Sequence, residues 1–131
     1  MQKKMEHSYI SKLSVFIKIL LNYIICIIYI RTYDFKKFKR KLESIKINKN
    51  KGDFDNLLRV YAYERKIANF FRIKKCLTSS SCLFKTYREL GFSPKIIIGV
   101  ANDNNFASHA WVEVGGLKLL HKSDFEIILK I

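Results

Sequence analysis

Cys76 and His109 carry most of the reactive potential of this sequence. Cys76 follows Lys74 and Lys75 and stands where a helix would begin. A helix N-terminus and neighbouring cations both favour a thiolate, which makes Cys76 a candidate nucleophile. Its general base would be a histidine, and there are three. His7 lies in a charged tail and reads as solvated. His109 opens an alternating apolar stretch just after a polar loop, a common setting for catalytic side chains. His121 ends the stretch that returns. A cysteine at a helix start facing a histidine on a neighbouring strand is the arrangement of papain-like cysteine hydrolases. Spacing alone does not bring the two together, and a buried structural cysteine is the plain alternative for Cys76. Cys82, six residues on and inside the same helix, reads as a small hydrophobe, as does Cys26 in an apolar stretch.

Other chemistries find little to work with. The cysteines and histidines show no CxxC or HxxxH spacing, so no metal site is expected. There is no glycine-rich phosphate loop, and no cofactor is implied. Three cysteines in 131 residues make no disulfide framework and read as free thiols in a reducing, cytosolic compartment.

Periodicity supplies the elements that must hold Cys76 and His109. Leu77, Leu83, Phe84, Tyr87 and Leu90 give one side of a helix that stops at Gly91, a natural left-handed C-terminal residue. Leu57, Leu58, Tyr61, Ala68 and Phe71 recur at helical spacing and predict an amphipathic helix over 56–71, capped by Asp53 or Asp55. After Pro94, residues 95–100 are short and β-branched and read as a buried strand. Residues 109–114 alternate, Gly115-Gly116 makes a tight turn, and Leu117 to Leu120 returns. A two-residue turn pairs residues whose numbers sum to 231, which sets His121 opposite Ala110 and on the wrong face from His109 unless a bulge intervenes. Helices followed by an antiparallel sheet make an α+β fold.

Charge divides the chain. Residues 1–75 hold 19 of the 25 Lys and Arg but only 6 of the 11 Asp and Glu, so nearly all of the +14 excess lies there. Such asymmetry points to an acidic partner, a polyanion or a membrane surface for that part. Phe35 and Phe38 among the lysines would suit single-stranded nucleic acid. A charge run is more often a solvated helix face, and nucleic acid is set aside. Leu13 to Ile30 is the most apolar stretch, interrupted by Lys18 and Asn22. It reads as a buried helix, a membrane-surface helix or a membrane span. The organisation that follows is a basic, apolar helical extension over 1–52 and a core over 53–131.

Two segments carry a resemblance. Cys76-Leu77-Thr78-Ser79-Ser80, with Gly91-Phe92-Ser93-Pro94 and Ile96-Ile97-Ile98-Gly99-Val100, is similar to a CLxRS…RRGIPA-LVIGV pattern. Phe106-Ala107-Ser108-His109-Ala110-Trp111-Val112-Glu113-Val114 is similar to F-x-AHAWVEV. Both patterns belong to the transglutaminase-like leader peptidases of lasso-peptide biosynthesis. The match runs from about residue 55 to 131, and more loosely over the apolar N-terminal helix. The resemblance implies a transglutaminase-like, papain-like core. In the family the cysteine lies fifteen positions before the helix-ending glycine, which assigns the nucleophile to Cys76 and not Cys82. It assigns His109 as the base.

The chain departs from the pattern twice. Ser79 occupies the place of the family's Arg. The family's third catalytic residue is an Asp twelve positions after the histidine, and here that position is His121, with Asp124 nearby as the alternative third member. A neutral histidine can orient His109 but does not stabilise an imidazolium as a carboxylate does. The resemblance implies a bacterial cytosolic cysteine protease that removes the leader from a lasso-peptide precursor. It also implies a separate leader-recognition protein, a lasso cyclase and an exporter as partners, with the basic segment docking an acidic partner or the membrane surface. The rivals are a catalytically impaired scaffold that binds precursor or partners, and a basic membrane-surface protein using residues 1–51.

Overall fold

The computed structural model describes residues 2–48, 54–101, 108–120 and 125–131. Asp53, His121 and Asp124, like the polar loop over 102–107 and the side chain of His7, lie outside what is described. Four helices precede a four-stranded sheet: α1 Gln2–Thr32, α2 Phe35–Glu43, α3 Phe54–Phe70, α4 Cys76–Glu89, β1 Lys95–Ala101, β2 Ser108–Val114, β3 Leu117–Leu119 and β4 Phe125–Lys130. The fold is α+β, as the order of patterns predicts.

α4 is the centre. Thr78 to Phe84, Thr86 and Tyr87 are all buried, with α1 and α3 on one side and the sheet on the other. Two of its small polar residues turn back on their own helix, which helps allow this. Ser81 Oγ donates to Leu77 O at 2.6 Å, and Thr86 Oγ1 to Cys82 O at 2.8 Å. The helix stops where expected. Gly91 has φ 94°, its N–H donates to Arg88 O, and the Phe92 N–H donates to Tyr87 O. These two bonds satisfy the last carbonyls, and the Phe92 ring packs edge-on against Tyr87.

α3 places Leu57, Val60, Ile67 and Ala68 in the core. Tyr87 Oη donates to Leu57 O at 2.7 Å and ties α3 to α4. Two residues of the expected apolar face are turned out. Leu58 lies a third of a turn from the buried stripe, and Phe71 follows the helix end, where Arg72 takes φ 53°. α1 adds Val15, Ile19, Tyr23 and Cys26 to the same core, and α2 adds Phe38 and Leu42.

The sheet is antiparallel, in the order β3-β2-β1-β4. β2 and β3 pair as Val112↔Leu119, Glu113↔Lys118 and Val114↔Leu117, the register a two-residue turn dictates. Gly115 and Gly116 have φ 56° and 83°, which only glycine adopts without strain in such a turn. Ala110, Val112 and Val114 alternate into the helical core.

Candidate active site

Cys76 is the first residue of α4, so its side chain stands beside backbone N–H groups that have no acceptor within the helix. It is the half-buried one of the three cysteines. Cys26 and Cys82 are enclosed by the core, and burial pushes the Cys26 thiol up to about 12 and Cys82 well above its ordinary value. Both are packing residues, as their positions in apolar stretches suggest.

Among the described residues, β3 pairs with Val112 to Val114 of β2, and the His109–Ala110 end of β2 meets the start of α4. There the Ala110 N–H donates to Cys76 Sγ at 3.3 Å. The thiol is thus held against the strand residue next to His109. Cys76 and His109 line one cavity of about 330 Å³ with Arg65, Ile73, Lys74, Ser79 and Leu120. Sequence spacing proposes this pair, and the packing of α4 on β2 is what joins it.

His109 is oriented by the main chain. Its Nε2 bonds to the carbonyl oxygen of Leu120, and a carbonyl can only accept, so Nε2 carries the proton. In the neutral ring the basic lone pair is then on Nδ1. Leu120 itself has φ 66°, a left-handed conformation that leucine rarely adopts. The His109 imidazole also stacks near the Trp111 indole, with ring centres 6.2 Å apart.

The helical wall of the cavity holds a group of residues that spacing does not single out. Glu64 on α3 is fully buried. Arg65 grips it with two bonds, Nε to Oε2 and Nη2 to Oε1, each 2.6 Å. The Tyr23 hydroxyl of α1 donates to Glu64 Oε1 and lies 3.0 Å from Ser79 Oγ on α4. The Glu64 bonds hold the Arg65 pKa above its ordinary value, while burial and then the Glu64 charge push Tyr23 up. Ser79, which replaces the Arg of the resembling pattern, therefore joins a network that links three helices at the cavity edge. One signal for this existed: Glu64 sits within the stripe Leu57, Val60, Ile67 and Ala68, where a carboxylate needs a partner. Among the described residues, no three His, Cys, Asp or Glu side chains gather as a metal site would need.

Comparison with known families adds one finding to this geometry. The transglutaminase-like superfamily matches residues 33–127, well over half of the chain. The chain belongs to this superfamily. Transglutaminase-like proteins include cysteine peptidases, and the cysteine at a helix start beside a strand histidine is the scaffold such chemistry uses. The match runs from α2 into the first half of β4, so the whole Cys76 cavity is transglutaminase-like apart from what Tyr23 of α1 adds behind it. No curated protein and no solved structure matches the chain.

Proposed function

We propose that this transglutaminase-like protein is a cysteine peptidase that removes the leader from a lasso-peptide precursor. The observation that carries the chemistry is the 3.3 Å bond from Ala110 N–H to Cys76 Sγ, which fixes a thiol beside a histidine within one cavity. Cys76 Sγ attacks the scissile carbonyl carbon, and His109 Nδ1 accepts the thiol proton. The N–H groups of the first turn of α4 stabilise the oxyanion. On collapse, His109 returns the proton to the leaving amine, and a thioester to Cys76 remains. Water, deprotonated by His109, hydrolyses it and frees the thiol. The Leu120 carbonyl holds the tautomer these steps require and already accepts at the ring nitrogen a third member would use, so His121 or Asp124 would have to share that N–H. The choice of a lasso precursor rests on the paired patterns around Cys76 and His109 and on their spacing. A separate leader-recognition protein, a cyclase and an exporter complete the proposed set of partners in a bacterial cytosol.

The test is mass spectrometry of the precursor peptide incubated with the protein and its recognition partner. Cleavage at one position, lost in Cys76→Ala and His109→Ala, is the expected result. Cleavage that survives Cys76→Ala overturns the mechanism. Binding of precursor without cleavage makes the protein a scaffold instead.

A further inference from the structure

α1 is apolar on two opposite faces, and the described residues pack against only one of them. At 100° per residue, Val15, Ile19, Asn22, Tyr23 and Cys26 fall within an arc of about 100° and are buried against α3 and α4. Leu13, Ile17, Leu21, Ile24 and Ile28 fall within an arc of about 80° centred on the opposite side. All five are exposed, Leu21 by 54% and Ile24 by 56%. Beside this stripe, Phe16 and Leu20 open into an apolar groove with Ile67, Phe70 and Phe71, where Phe70 is 81% exposed. A single exposed leucine means nothing, but an unbroken stripe four turns long next to two bare phenylalanines marks a surface that meets something apolar.

We infer that the outer face of α1 docks onto an anionic lipid surface, with the helix lying in the plane of the bilayer. Charge selects this occupant. The stripe runs to the exposed Arg31, and α2 follows with exposed Lys36, Lys37, Arg40 and Lys41. Apolar side chains entering the acyl boundary beside basic residues that meet the headgroups are the pattern of an interfacial helix. A second copy would bring two chains of net charge +14 together at their most basic ends. Residues Lys12–Thr32 also satisfy the length and composition of a span. Crossing the bilayer would pull the inner face out of the core, breaking the buried bond from Asn22 Nδ2 to Thr86 Oγ1 (2.9 Å) and the Lys18–Glu89 ion pair (2.9 Å). Lying flat keeps both.

The test is flotation of the full chain with vesicles of phosphatidylcholine alone and of an equimolar phosphatidylcholine–phosphatidylglycerol mixture. The variants are Leu21→Glu/Ile24→Glu on the stripe and Lys36→Glu/Arg40→Glu on the basic helix. All four positions are exposed, and circular dichroism with thermal unfolding checks that the fold is kept. The native chain should float with the mixed vesicles and far less with the neutral ones. The stripe variant should bind more than about tenfold more weakly, and the charge variant several-fold more weakly. Equal binding by the native chain and the stripe variant overturns the inference, as does equal binding to neutral vesicles or no binding at all. A native dimer that the stripe variant dissociates, without vesicle binding, assigns the face to a second copy. None of these readouts depends on peptide cleavage, so they stand or fall apart from the catalytic reading.

Discussion

On the helical side of the cavity, Cys76 begins a helix that is buried along almost its whole length, and behind it Glu64, Arg65, Tyr23 and Ser79 hold one another. On the strand side, His109 lies beyond the described β2–β3 pairs, and the bond from Nε2 to the Leu120 carbonyl fixes its ring. The nucleophile is positioned by packing that many residues share, and the base by a few local contacts. Changes behind the cysteine should therefore register first as lost stability. Changes at the histidine should register as lost activity in a chain that still folds.

The widest contrast should be in thiol reactivity. With iodoacetamide under native conditions, Cys76 should alkylate more than about a thousandfold faster than Cys82, which reacts only through opening of the core. Peptide mapping reads this directly, and comparable rates would mean that α4 is not anchored as described. Next comes Glu64→Ala, expected to cost about 3 kcal/mol in urea unfolding, since it leaves Arg65 without its acceptor and the Tyr23 hydroxyl with Ser79 Oγ alone. A loss below about 1 kcal/mol would remove the network from the account of the helical wall. His109→Ala should shift the same unfolding curve by less than about 0.5 kcal/mol. It should slow any cleavage by about a hundredfold or more, the inverse of the Glu64 result.

Gly115→Ala probes where the two sides meet. A methyl group there would lie 2.7 Å from Leu57 Cδ1, on a backbone with φ 56°. The expected loss is about 2 kcal/mol in a denaturant titration. The smallest effect is acidic. Burial alone would raise the Glu89 carboxyl, but Lys85 and Lys18 more than offset it and hold it below its ordinary value. A depressed folded pKa means that the stabilisation is present above the ordinary glutamate range and is lost as pH falls through the folded value. For so partly exposed a pair the contribution is about 0.5–1 kcal/mol. Stability of native protein and Lys18→Ala/Lys85→Ala, compared at neutral pH and below pH 4, should show the difference shrinking in acid.

Local signals in the sequence account for much of this picture. The glycines at 91, 115 and 116 mark the end of α4 and the turn between β2 and β3, because each sits where a left-handed backbone is needed. Alternation in residues 109–114 and the β-branched run before it mark β1 and β2. β4 is a different matter. Phe125–Lys130 pairs with β1 across the sheet, and a partner so far back in the chain leaves no trace in local spacing. The network around Glu64 was equally hidden, because Tyr23, Glu64 and Ser79 come from three helices that meet only once folded. The two apolar faces of α1 blur its pattern, since a helix apolar all round reads alike in a core, on a bilayer and across one.

Leu120 stops a strand one residue early in a conformation unfavourable for its side chain, and so turns its carbonyl toward His109. The tautomer of the imidazole is therefore written into the path of the main chain. A side chain that orients a histidine can be lost by one base change in its codon, but a backbone carbonyl is supplied by whichever amino acid stands there. This half of the histidine's environment tolerates substitution so long as the turn survives; Leu120→Gly relieves the left-handed strain but gives up the packing of the leucine side chain against the core.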